Sequence, residues 1–313
     1  MDRMAAPTQT EMKTIGRSGS LLLVITATAF WSTSGIFISY LIRRSTLTPV
    51  TLAFWRDLGT FLCLLLGLAL FRPALLKVRR HDLPWLAAMG ALSIGLFHFA
   101  WNISIMINGA ALSVVFQSNA PIVVTAIAWF LWREPLTGRK LVAIALALAG
   151  TVLIAGLLQE GGAGNGAVVI TPAGLLLGVG LALAYSTMSL FGKKLVGDYS
   201  AWTVLLYIFG FGALTLLPLQ IGSTLPRPLA PETILPYAGL VLLTTIGGFG
   251  LYTLGLRGLQ ASVATITATT EIPFAAFLAY LLLDERLSPA QIVGSLLVAA
   301  GVFLVSWRRR TRK

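Results

Sequence analysis

Gln117-Ser118-Asn119-Ala120-Pro121 returns later in the chain as Thr269-Thr270-Glu271-Ile272-Pro273, and each run lies inside a long apolar segment. Outward from the first, the chain begins at Gly109-Ala110, passes Arg133-Glu134-Pro135-Leu136 and reaches Gly150. Outward from the second, it begins at Ala261-Ser262, passes Asp284-Glu285-Arg286-Leu287 and reaches Gly301. The prolines are 152 positions apart and Glu134 and Glu285 are 151 apart, so one residue of indel separates two copies of an apolar unit. Internal duplication of such a unit points to a transporter-type architecture.

The chain is 57% hydrophobic and 11% charged, with a mean hydropathy of +0.85. It has too few polar groups to cover a soluble globule, which makes the lipid bilayer its solvent. A net charge of +12 would ordinarily suggest nucleic acid. Here the basic residues form short clusters between apolar runs long enough to span hydrocarbon, so no nucleic-acid partner is expected. Cys63 is the single cysteine, which excludes an internal disulfide, and its apolar surroundings read as a packed helix position.

Apolar runs bounded by charge, Pro or Gly fall at 20–42, 49–71, 83–107, 110–131, 139–158, 172–192, 200–221, 233–256, 261–283 and 289–307, ten in all. With the amino terminus in the cytoplasm, eighteen Lys and Arg residues lie on the cytoplasmic side and four, Arg43, Arg44, Arg227 and Arg286, on the other. That bias places both termini in the cytoplasm. Five spans per copy is an odd number, which turns the second copy over in the membrane. The expected fold is therefore all-α and integral to the membrane, with ten helices as two inverted five-helix repeats around a central cavity. The expected organisation is a polar tail at 1–18, a first repeat at 19–158, a Gly-rich external linker at 159–171, a second repeat at 172–307 and a basic tail at 308–313. Leu21 opens a run too long for a signal-peptide core. The glycine cluster of the linker lacks the Lys-Ser/Thr ending of a phosphate loop, so neither nucleotide nor other cofactor is expected.

The residues Phe30-Trp31-Ser32, Phe54-Trp55-Arg56, the Pro121–Gly150 block, Tyr185-Ser186-Thr187 and the Pro273–Gly301 block together make a family pattern. On these the chain resembles the drug/metabolite transporter superfamily, specifically the ten-span proteins with two EamA-type domains. The resemblance implies spans five and ten at the periphery and the other eight around the cavity. It also implies secondary transport, often efflux, of small polar metabolites such as amino acids, across a bacterial inner membrane. It names a class of substrate and not a molecule.

Ionisable side chains inside a membrane need a partner or a purpose. Glu271 falls near the middle of span nine, and Asn119 holds the matching place in span four; each stands two residues before a proline, Pro273 or Pro121, that removes a helix hydrogen bond. Paired helix breaks at mid-membrane are where a repeat-built transporter holds its substrate. Gln117, Ser118 and Asn119, with Thr265, Thr267, Thr269, Thr270 and Glu271, offer donors and acceptors for an amino or hydroxyl group. The competing reading has the threonines bonding back to their own helices and Glu271 tying two spans together. Glu271 is also the coupling candidate, as a carboxyl able to exchange protons during transport; facilitated diffusion would need no such group.

Arg56 stands two turns inside span two and has three roles open to it: attracting a substrate carboxylate, pairing with Glu271, or snorkelling. Its neighbour Asp57 points about 100° away, so the two are not expected to pair well, and Asp57 is expected to pair with a neighbouring helix or an interfacial base. His98, Trp101 and Asn102 give span three a ring-and-amide face that could meet an organic solute, against a packed histidine satisfied by a neighbouring helix. With no second His or thiol nearby, no metal is expected. Trp31 and Tyr185 occupy matching positions in spans one and six and are cavity or packing residues. Glu134 and Glu285 close spans four and nine and are expected to cap the next helix or pair with arginine. Gly150 and Gly301 would let spans five and ten pack closely, or support a weak dimer of an otherwise monomeric chain.

The function expected is export of amino acids or similar metabolites by alternating access, possessing a small-molecule substrate, the bilayer and protons as partners. Multidrug or cation efflux and metabolite uptake stand as alternatives. The cation mechanism of small multidrug transporters uses an acid in the first span, and span one here has none. An enzyme would need convergent catalytic groups that Arg56, Asp57, His98 and Glu271 do not form in sequence, and a sensor would need a soluble domain.

Overall fold

A computed structural model describes residues 15–45, 47–156, 171–221, 231–283 and 288–307. The Gly-rich linker, apart from Thr171, the basic tail, Glu285 and Arg286, and most of the amino-terminal tail lie outside the described residues. All regular structure among the described residues is helical. The elements are α1 (Arg17–Ser32), α2 (Ser34–Arg44), α3 (Pro49–Phe71), α4 (Leu83–Gly90), α5 (Phe97–Gln117), α6 (Ala120–Trp132), α7 (Gly138–Ile154), α8 (Pro172–Leu195), α9 (Ala201–Leu216), α10 (Pro231–Ala238), α11 (Gly250–Leu256), α12 (Ala261–Ala268), α13 (Glu271–Leu283) and α14 (Pro289–Ser306).

Several starts follow from one local rule. Thr48-Pro49, Thr171-Pro172 and Ser288-Pro289 each put a hydroxyl at the cap and proline at the first helical position, where its missing N–H costs nothing. The Thr51 N–H donates to Thr48 Oγ1 at 3.1 Å, Gly174 N–H to Thr171 Oγ1 at 3.0 Å and Gln291 N–H to Ser288 Oγ at 3.2 Å. At the end of α6, Arg133 takes a left-handed φ of 51° and ends the helix.

Nine helical stretches among the described residues are long and apolar enough to cross a membrane, from Arg17–Arg44 to Pro289–Ser306. The sequence suggested ten. The difference is α7, whose 17 residues fall one short of the shortest of the nine. Leu66, Leu70, Phe71, Phe130, Leu176 and Leu235 are largely exposed, an apolar exterior that suits lipid and not water. Cys63 is also exposed, where a packed position was expected; α3 turns that face outward.

Ser104 and Ser113 share a hydroxyl hydrogen bond of 2.7 Å. Nine residues of straight helix would rise about 13 Å, so α5 does not run straight between them, and the stretches Arg80–Ser104 and Ser113–Trp132 count as separate spans. Wide π-type turns at Ala91–Leu96, before α5, and at Gly239–Phe249, before α11, fall at matching places in the two copies. Helix contacts match as well: α1 packs on α11, α12 and α13, while α8 packs on α5 and α6. Along α7 and α14, a Cβ at Gly150 would stand 2.5 Å from Gly294 O and one at Gly301 2.7 Å from Ala143 O. Both glycines serve this contact within the chain, and the two backbones meet because no side chain intervenes.

Candidate functional site

The two repeated runs that open the sequence are the two places where a span is interrupted. Between α5 and α6 the helix breaks at Ser118 and Asn119; between α12 and α13 it breaks at Thr269 and Thr270. Proline supplies no N–H at positions 121 and 273, so the carbonyls one turn earlier lose their partners and the helix restarts. At the second break the Ile272 N–H donates to Thr269 O at 3.2 Å, a tighter turn that takes up part of the loss.

A cleft of about 260 Å³, its open mouth included, lies where these breaks meet α8. It is lined by Gln117, Ser118, Pro121, Tyr185, Thr265, Ala268, Thr269, Glu271 and Ile272. Glu271 opens α13 and, among the described residues, makes no ion pair. Tyr185 stands beside the Gln117 side chain. A carboxylate, an amide and a phenol on one small surface can bind an ammonium and an adjoining polar group together. Among the described residues, no three His, Cys, Asp or Glu gather to hold a metal.

Of the residues singled out from sequence, Gln117, Tyr185, Glu271 and Pro121 meet at the cleft. Ser118, Thr265 and Thr269 join them, along with Ala268 and Ile272, which were not singled out because apolar side chains carry no chemical signal. The hydroxyls do bond back to their helices: Ser118 to Val114 O at 2.8 Å, Thr265 to Ala261 O at 2.9 Å, Thr267 to Val263 O at 2.8 Å and Thr269 to Ile266 O at 2.7 Å. Thr265 also bonds Ser189 at 2.7 Å, and Ser189 bonds Tyr252 at 2.6 Å. Asn119 donates to Val115 O at 2.8 Å, and Thr270 bonds Thr28 at 2.8 Å. Pro273 and Asn119 flank the cleft without lining it. Trp31 is buried against Phe249 and Tyr252, with ring centroids at 4.9 and 5.1 Å. Trp101 stacks on Phe97 at 6.2 Å, and Asn102 donates to His98 O at 2.6 Å.

Arg56 does not reach Glu271. It hydrogen-bonds His98 on α5, and its Nε lies 3.5 Å from Asp57 Oδ1. The two neighbours thus do meet, because the long arginine chain bends back where the side-chain directions diverge. His98 lies 2.9 Å from Asp57 Oδ2 through Nδ1, the neighbouring-helix partner expected for Asp57.

Glu134 serves a helix far away in sequence and not only the one that follows it. It accepts from the Ala261 N–H at 2.9 Å, from Ser262 Oγ at 2.5 Å and from Lys140 Nζ at 3.4 Å. A carboxylate at the amino end of α12 meets unpaired N–H groups and the positive end of the helix dipole. Glu134 therefore joins the first copy to the helix that carries Thr265 and Ala268 into the cleft.

Nine helices long and apolar enough to cross a membrane among the described residues, two interrupted spans facing each other and a polar cleft at the interruptions fit a multi-pass membrane transporter. The chain belongs to the EamA-like transporter family, which matches residues 18–156 and 172–307. It is 29% identical over 303 residues to an uncharacterized inner membrane transporter of Salmonella typhimurium, YicL, covering 93% of this chain and 97% of that one. It is 28% identical over 257 residues to a probable amino-acid metabolite efflux pump of Escherichia coli K12, covering 77% and 83% respectively. It is 26% identical over 242 residues to a probable terminal-alkyne amino-acid exporter of Streptantibioticus cattleyicolor, covering 76% and 77%. A crystal structure superposes with a TM-score of 0.77 over 92% of this chain and 96% of the other at 17% identity, which shows a shared fold alone.

Proposed function

We propose that this chain is a secondary transporter that exports amino acids or similar small polar metabolites by alternating access across a bacterial inner membrane. In this reading α7 is the tenth span, since 17 residues rise about 25 Å and its partner α14 crosses beside it. The two copies are inverted five-helix repeats, supported by the matched helix breaks, the matched π-type turns and the reciprocal packing of α1 and α8. The charge bias puts both termini in the cytoplasm.

The observation that carries the substrate class is the cleft at the facing breaks, with Glu271 free of any ion pair among the described residues. A buried carboxylate without a cation calls for one, and the ammonium of an amino acid supplies it. Gln117, Tyr185 and the Thr265 and Thr269 hydroxyls receive the rest. The two relatives named for amino-acid export point the same way.

The test is export from cells. Cells expressing the chain are fed dipeptides, and the amino acids released are compared with an empty vector and with Glu271→Gln. Enhanced release of a subset, lost in Glu271→Gln, supports the reading. Release equal to the vector for every amino acid removes amino acids from it.

A further inference from the structure

Outside the cleft, the densest set of ionisable groups in the apolar interior is Arg56, Asp57 and His98. Asp57 is 0% exposed, His98 4% and Arg56 9%, although α3 and α5 are membrane-spanning elements. The transport reading above uses none of the three. Charges this far from water persist only when each is paired.

The pairing fixes the state of the histidine. A guanidinium has only donors, so the ring nitrogen it bonds must offer a lone pair. Arg56 Nη2 lies within hydrogen-bond reach of both ring nitrogens, His98 Nδ1 at 2.8 Å and His98 Nε2, and Nδ1 also lies 2.9 Å from Asp57 Oδ2; the arrangement that serves both partners puts the proton on Nδ1, toward Asp57, and leaves the Nε2 lone pair for Arg56. The ring is thus neutral, and the triad holds one positive and one negative charge. If a proton binds at Nε2, both ring nitrogens become donors and neither can accept from Arg56. The Asp57 contact becomes an ion pair, while the Arg56 contact becomes two facing cations. One proton therefore exchanges a bonded Arg56 for a repelled one.

We propose that Arg56, Asp57 and His98 form a proton-binding switch separate from the substrate cleft, in which protonation of His98 releases the Arg56 guanidinium. The proposal rests on the reading as a secondary transporter only for its purpose, since a proton site beside the cleft is what coupling to a proton gradient requires. Phe97 is the physical link. Its ring lies 5.6 Å from His98 and 5.2 Å from Tyr185, which lines the cleft.

Of the other titratable or charged groups on the surrounding elements, Tyr237 stands close enough to feel the charges of Asp57 and Arg56, and the rest are engaged elsewhere or face away. Tyr237 donates to Trp55 O at 2.7 Å, and Tyr207 donates to Leu76 O at 2.7 Å. On α8, Lys193 donates to Leu256 O at 3.1 Å and Lys194 lies over the Trp85 ring. On α7, Lys140 is held by Glu134 and Arg139 bonds Trp307 O. On α2, Arg44 lies over Tyr40 and Arg43 is exposed. Cys63 faces outward from α3, and Tyr185 lies beyond Phe97.

The chain has two histidines, His81 and His98, which makes the test direct. The full-length protein is labelled at histidine 13Cε1, placed in lipid nanodiscs without substrate and titrated by NMR, with His81→Asn giving the assignment. His98 is expected to show one sigmoidal transition within the pH range over which the particle stays folded. Arg56→Gln and Asp57→Asn, each checked for a folded, monodisperse particle, are expected to move its midpoint in opposite directions, one removing a repelling cation and the other a pairing anion. A His98 signal that stays flat across that range while His81 titrates overturns the proposal, leaving the triad a permanent structural bond. The same follows if it titrates with a midpoint untouched by both variants. The spectrum needs no substrate, so a failed amino-acid export assay and a failed proton switch are separate results.

Discussion

Replacing Glu134 by Gln tests whether a single carboxylate holds the second copy's cleft helix in place. The side chain is 8% exposed, as is expected of a group that accepts from the Ala261 N–H at 2.9 Å, Ser262 Oγ at 2.5 Å and Lys140 Nζ at 3.4 Å. Glutamine keeps one acceptor oxygen and turns the other into an NH2 that faces donors. Hydrogen bonds to a charged group are worth about 1.5–3 kcal/mol, and breaking one side of a buried pair costs about 3–5 kcal/mol. The amide retains part of the geometry, so the expected loss is about 2–3 kcal/mol. At about 2–4 °C per kcal/mol for a chain of this size, the melting temperature in detergent should fall by roughly 5–10 °C. The assay is thermal unfolding of the purified protein, followed by loss of the monodisperse size-exclusion peak. A double-mutant cycle with Ser262→Ala should show a coupling of about 1 kcal/mol, since the two residues share one bond. A melting point unchanged within error, with additive effects in the cycle, would refute the inter-repeat cap.

Gln117→Leu is expected to raise the KM of transport about tenfold, the value of one lost hydrogen bond of about 1.4 kcal/mol, while Asn119→Leu changes it less than about twofold; transport kinetics in proteoliposomes decide, and the reverse order would place the amide on the wrong residue. Gly150→Leu is expected to destabilise the protein by about 1–3 kcal/mol, because a Cβ there already falls 2.5 Å from Gly294 O; an unchanged melting point would show α7 and α14 free to separate. Tyr252→Phe removes the 2.6 Å bond to Ser189 and should cost about 1 kcal/mol in the same unfolding assay, with no cost arguing that the Ser189–Thr265 bond suffices alone.

Much of the fold was legible because its determinants are local. Apolar runs of spanning length give helices, and hydroxyl-proline pairs such as Thr48-Pro49 and Ser288-Pro289 set where they begin. The recurring Pro121 and Pro273 mark the two breaks, since loss of one N–H acts on the turn just before it. Gln117, Tyr185 and Glu271, which line the cleft, were legible as candidates because polar groups in apolar helices are conspicuous. The partnerships of Arg56 and Glu134 were not. His98 lies 42 positions from Arg56, and Ala261 lies 127 from Glu134, so each contact depends on how helices cross and not on spacing along the chain. Glu134 read as a local cap because a carboxylate just past a helix end suits the next helix first. The π-type turns left no pattern, since they arise where Gly90 and Gly95 press against α9 and Gly247 and Gly248 press against the rings of Phe30 and Trp31. Ala268 and Ile272 line the cleft by shape alone.

The most direct measurement of the central claim is amino-acid flux in proteoliposomes holding the purified chain, with wild type and Glu271→Gln reconstituted in equal amount and orientation. Substrate-saturable flux in wild type, reduced to the level of empty liposomes by Glu271→Gln while that variant remains folded, is the expected result. Equal flux in the two proteins would contradict a path through the cleft at the paired helix breaks.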